Sequence, residues 1–64
     1  MFLQIGDKVR IYNTADKVLD GVIGIITSIE AYYPEISFYN LELISPVSNQ
    51  LINITLSDAC ITLH

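Results

Sequence analysis

Ile5-Gly6-Asp7-Lys8-Val9-Arg10-Ile11, followed after a polar stretch by Gly21-Val22-Ile23-Gly24-Ile25-Ile26, decides how this chain is read. In the first run Ile5, Asp7, Val9 and Ile11 share one parity, and Lys8, Arg10 and Tyr12 share the other. Alternation with period two marks a half-buried strand. It predicts a first strand entered through a Gly-Asp turn, with Val9 and Ile11 inward and the cations outward. The second run predicts another strand over Gly21 to Glu30, in which Ile23, Ile25 and Ile29 fall on one face and Val22 and Ile26 on the other. Two explanations fit a strand that is apolar on both sides. A bulge can shift the parity, or the second face is itself covered and forms an interface.

Outward from this pair, Asn13 to Asp20 is a polar excursion, with Asn13 or Thr14 as the expected N-cap of a single helical turn. Tyr32-Tyr33-Pro34 is expected to end the second strand and form a loop, because proline donates no hydrogen bond and restricts the residue before it. In the third strand Ile36 and Phe38 have one parity, and Leu41 and Leu43 the other. That slip predicts a bulge or corner at Tyr39-Asn40. Ser45 to Gln50 is turn chemistry. Leu51 to Leu56 reads as a fourth strand with Ile52, Ile54 and Leu56 on one face. Ser57 to Cys60 reads as one capped turn, and Ile61 to Leu63 as a short last strand. The residues 1–64 therefore form one all-β domain of five strands, with a 3-10 turn before the last. Five strands in this order give an SH3-like barrel, with an OB-like barrel as the alternative.

A domain of 64 residues lies near the lower limit for independent folding. Its core is expected to supply only ~3–5 kcal/mol without a staple. The single cysteine, Cys60, excludes an internal disulfide, and no ligand cluster points to a metal or cofactor. At 52% hydrophobic residues the chain has more apolar surface than a small polar-coated domain needs, so the surplus is expected at an interface. The net charge is −4, and the three cations, Lys8, Arg10 and Lys17, all lie in the first seventeen positions. Nucleic-acid affinity rests on Lys and Arg neutralising phosphates, and this balance argues against it. A neutral or basic protein partner suits the field better. The longest apolar run, Val22 to Ile26, is far short of the ~20 residues of a membrane-spanning helix. Met1 to Gln4 lacks a basic n-region, so a cytoplasmic location without membrane insertion is expected.

The pair Gly6 to Ile11 and Gly21 to Ile29 resembles the KOW type of SH3-like barrel, with Gly21, Gly24 and Ile26 at the Gly-x-x-Gly-x-hydrophobic positions. That resemblance implies binding to RNA or to proteins of the transcription and translation machinery. Gly6, Lys8 to Ile11, Gly21 and Tyr33-Pro34 also resemble, in order, the small SH3-like stromal subunit of photosystem I, which implies a minor subunit docked on a larger assembly.

Catalysis needs a nucleophile, a base and a pocket together. Only Asp58, Cys60 and His64 offer a start. A small half-buried thiol and a free terminal histidine account for the last two, and no enzyme is expected. The tyrosines Tyr12, Tyr32, Tyr33 and Tyr39 are candidate contact residues, since tyrosine brings large area at low entropic cost. Half-buried strand positions explain them as well. Ile23 and Ile25 join them as the expected partner-binding surface. Lys8, Arg10 and Lys17 are the candidates for a phosphate or an acidic partner, and a solvated outer face is the ordinary alternative. The leading expectation is a non-catalytic protein-interaction module, as a small acidic subunit, a regulator or a homo-oligomer. An RNA-binding KOW-like barrel and a phage- or mobile-element-encoded inhibitor of a host protein are the alternatives.

Overall fold

A computed structural model describes residues 3–33 and 36–64. Five antiparallel strands form one sheet: β1 (Lys8–Ile11), β2 (Ile23–Tyr33), β3 (Ile36–Ile44), β4 (Leu51–Ser57) and β5 (Ile61–Leu63). Their spatial order is β4-β3-β2-β1-β5. Four strands follow one another as a meander, and β5 returns to pair with β1. A 3-10 turn, Asp58–Cys60, precedes β5, as the sequence predicts. Hydrogen bonding does not run from β4 to β5, so the sheet is open.

The buried core is made of Val9, Ile11, Ile26, Tyr39, Leu41, Leu43 and Ile61, with Val22, Ile52, Ile54 and Leu56 packed against it. Alternation within β1, β3 and β4 delivers these residues to one face, as the period-two pattern requires. In β3 the inward set is Tyr39, Leu41 and Leu43, one unbroken parity, and its pairing with β4 keeps register from Phe38↔Ser57 to Ile44↔Leu51. The slip expected at Tyr39-Asn40 is therefore not in β3. The neighbouring strand carries it: Ile26 pairs with Leu41 and Ser28 with Asn40, leaving Thr27 as the extra residue of a bulge. Its hydroxyl donates to the Asn40 carbonyl at 3.1 Å. A bulge reverses parity, so Ile29 follows Ile26 to the inner side and lies opposite Tyr39.

The polar excursion differs in its capping. The turn is a 3-10 segment, Lys17–Leu19, and its N-cap is Asp16, whose carboxylate accepts from the Val18 N–H. Asn13 instead adopts φ 57°, a conformation asparagine tolerates because its short polar side chain bonds locally. Thr14 is buried and knits the loop together. Its N–H donates to Asp20 Oδ1 at 3.2 Å, and its hydroxyl lies 2.6 Å from the Asp16 carbonyl. Gly21 closes the excursion at φ 89°, where a side chain would be strained, and donates to the Ile11 carbonyl at 2.6 Å.

The second strand also runs further than expected. Tyr32 and Tyr33 belong to β2 itself, with Tyr33 paired to Ile36, rather than to a loop. Pro34 and Glu35 lie outside the described residues.

Candidate functional site

The opposite face of the sheet is not polar. Before the Thr27 bulge, β2 turns Gly24 and Ile26 inward, which leaves Ile23 and Ile25 outward at 37% and 42% exposed. The bulge expected in this strand is present and turns Ile29 to the side of Tyr39, where it is still 42% exposed, whereas Ile23 and Ile25 lie on the opposite face.

Registers across the sheet arrange that face in two rows. Lys8 pairs with Ile25 and Ile25 with Glu42, which is opposite Asn53. One row therefore reads Asn53, Glu42, Ile25, Lys8, and continues to His64, whose backbone N–H donates to the Lys8 carbonyl at 3.0 Å. In the second row Arg10 pairs with Ile23 and Ile44 with Leu51; continuing the β2–β3 register sets Ile23 beside Ile44. Ile44 and Leu51 are exposed as well. A shallow groove of about 270 Å³ runs between the rows, lined by Lys8, Ile23, Ile25, Glu42, Ile44, Leu51 and His64 among others.

The two charges in the first row stand on either side of Ile25, two strand spacings apart, roughly 10 Å. They form no ion pair with each other. Among the described residues the one ion pair is Lys17 Nζ with Asp20 Oδ2, at 3.6 Å. Beyond these rows the outer face turns polar. Asn40 Nδ2 donates to Ser28 Oγ at 2.6 Å and to Glu30 Oε1 at 3.2 Å, and the Thr55 hydroxyl donates to Asn40 Oδ1. This network satisfies its own members, so the apolar surface ends there.

The candidate residues separate accordingly. Ile23 and Ile25 come together with Lys8 and Arg10 on one face. Tyr12 is exposed at the end of β1. Tyr39 is only 7% exposed and belongs to the core, so its aromatic area is spent inside the domain. Of the Tyr32 and Tyr33 side chains, which lie outside those described, nothing is added. Lys17 lies in the 3-10 turn after β1 and pairs with Asp20. The acidity of Asp20 is raised: the Thr14 N–H bond lowers its pKa most, desolvation opposes it, and the Thr14 hydroxyl and Lys17 lower it further.

Asp58, Cys60 and His64 do not form a site. Cys60 Sγ lies 3.7 Å from the Asn13 carbonyl, at the start of β5, whereas His64 is at the far end beside Lys8. Among the described residues no group of three or more His, Cys, Asp or Glu is placed to hold a metal. Among the described residues no helix is long and apolar enough to cross a membrane. Sequence reasoning missed Ile44, Leu51, Glu42 and His64 as members of the face. For Glu42 and Ile44 the signal was β3 parity, which the supposed slip at Tyr39-Asn40 obscured; for Leu51 it was the parity of β4, opposite to Ile52, Ile54 and Leu56.

Compared with known proteins, the chain matches no family model, no curated protein and no solved structure.

Proposed function

We propose that this protein is a non-catalytic protein-interaction module, built on an SH3-like sheet, that binds through its outer face. A four-strand meander followed by a fifth strand that returns beside the first supports the SH3-like assignment. The observation that carries the functional reading is the groove whose floor is Ile23 and Ile25 and whose far wall is Ile44 and Leu51. Side chains of this kind gain about 1.5–3 kcal/mol each on full burial, and here a sizeable part of that gain is still unrealised in the isolated chain. Charges of both signs border the patch, Lys8 and Arg10 on β1 and Glu42 on β3, so a counterpart with complementary charges of both signs suits it.

An RNA-binding role would need Lys8, Arg10 and Lys17 as one positive patch. Lys17 instead has Asp20 beside it at 3.6 Å, and Glu42 stands in the same row as Lys8.

The test is a double substitution, Ile23→Asp with Ile25→Asp, followed by light scattering and by capture of a defined partner. Circular dichroism should show the native sheet retained, because neither side chain is in the core, while association is lost. A wild-type chain that is monomeric at all concentrations and retains no partner would refute the reading. RNA binding at ~50 mM salt, where phosphate contacts are strongest, would refute it in favour of the nucleic-acid alternative.

A further inference from the structure

Resting on the outer-face reading, we propose that the partner is a second copy of this chain, stacked face to face about a two-fold axis parallel to β2, with Lys8 of each copy over Glu42 of the other. The order of charges in the row argues for it. Across the sheet the row runs Glu42, Ile25, Lys8, an acid and a base placed symmetrically about an apolar centre on β2. A two-fold axis lying along β2 exchanges the β1 side with the β3 side. It sets Ile25 on Ile25, Lys8 on Glu42 and Glu42 on Lys8.

The same operation acts on the second row. Ile23 meets Ile23, and Arg10 of one copy lies over Ile44 of the other, where its aliphatic stem covers the isoleucine and its guanidinium approaches the neighbouring Glu42. A two-fold axis at right angles to the strands would instead stack β1 on β1 and bring cations together. Self-complementarity thus selects one axis, as an isologous interface requires. Two sheets stacked this way also match the aligned packing of β-sandwiches, which are about 10 Å thick.

Size sets the strength. At standard strand spacing the two rows cover roughly 24 Å across five strands and about 14 Å along them. That amounts to a few hundred Å² per copy, below the ~800 Å² of a standard stable interface. The dimer is accordingly weak and transient. Its two Lys8–Glu42 contacts provide specificity of register more than affinity.

Charge exchange tests it. Sedimentation equilibrium from about 10 µM to about 1 mM at ~0.15 M salt, where the chain's remaining net charge is largely screened, should show a monomer–dimer equilibrium for the wild type. Lys8→Glu alone and Glu42→Lys alone turn both contacts repulsive and should each weaken it about tenfold or more. Mixing these two variants should restore association as a heterodimer, and the double exchange Lys8→Glu with Glu42→Lys in one chain should restore the homodimer. Circular dichroism confirms that each variant is folded, and the rescue in the mixture distinguishes a lost contact from a damaged domain. A wild type that stays monomeric to about 1 mM, or single variants that do not complement each other, overturns the self-pairing. If the outer face still bound a different protein in that case, the interaction-module reading would stand while this inference fell.

Discussion

Ile25 and Ile26 are neighbours of identical chemistry on one strand, and the structure assigns them opposite consequences. Ile26 is 1% exposed and Ile25 is 42% exposed. Replacing Ile26 by alanine removes a fully buried side chain from between β1 and β3 and leaves a cavity, at a cost of about 2–5 kcal/mol. Ile25→Ala removes a side chain that is only partly covered and whose site opens to water, so no enclosed cavity forms. What remains is a fraction of the ~1.5–3 kcal/mol of full burial, plus a β-propensity difference within the ~1 kcal/mol span of that scale. The expected gap between the two variants is about 2 kcal/mol. Since a domain this small has only ~3–5 kcal/mol in total, Ile26→Ala should lose much of it, which puts its urea midpoint low in the titration. Ile26→Val, at ~0.5–1.5 kcal/mol, provides a folded second point. The assay is urea unfolding followed by circular dichroism at about 10 µM, where the proposed dimer is dissociated. With a slope near ~1 kcal/mol per molar urea, a 2 kcal/mol gap separates the midpoints by roughly 2 M. Equal destabilisation by Ile25→Ala and Ile26→Ala would refute the assignment of faces. A larger cost for Ile25→Ala would mean that the parity of β2 is reversed.

Other consequences follow from the loops and the polar end of the sheet. Gly21→Ala should cost about 1–2 kcal/mol, purely from φ 89°, since no neighbouring atom lies within 4 Å of the added carbon; thermal unfolding measures it. The carboxyl of Asp20 has a pKa below its ordinary value of 3.8 when folded, so the unfolded chain takes up its proton first as pH falls. Its contribution is present above the unfolded pKa and disappears as pH drops through the lower folded one. The melting temperature of Asp20→Asn should consequently lie below the wild type at pH 7 and converge on it as the pH falls past the ordinary value of 3.8. Asn40→Ala breaks the links to Ser28, Glu30 and Thr55. It should cost about 1–2 kcal/mol in a denaturant titration.

Local alternation settled much of this protein from the chain alone. Val9 and Ile11 inward with Lys8 and Arg10 outward, the face shared by Ile52, Ile54 and Leu56, and the 3-10 turn before Ile61 all follow from period-two spacing and capping chemistry, which act within a few residues. Tertiary structure decided what depends on pairing partners. Asp16 rather than Asn13 or Thr14 caps the first turn, because Thr14 is occupied with Asp20 across the loop. One irregularity read at Tyr39-Asn40 belongs to Thr27 on the adjacent strand, since a bulge is a property of two strands and the sequence shows only one at a time. Tyr39 was drawn into the core by the uninterrupted parity this leaves in β3. The same register placed Glu42, Ile44 and Leu51 beside Ile23 and Ile25. Residues separated by some twenty positions became one surface, and no local spacing rule could have joined them.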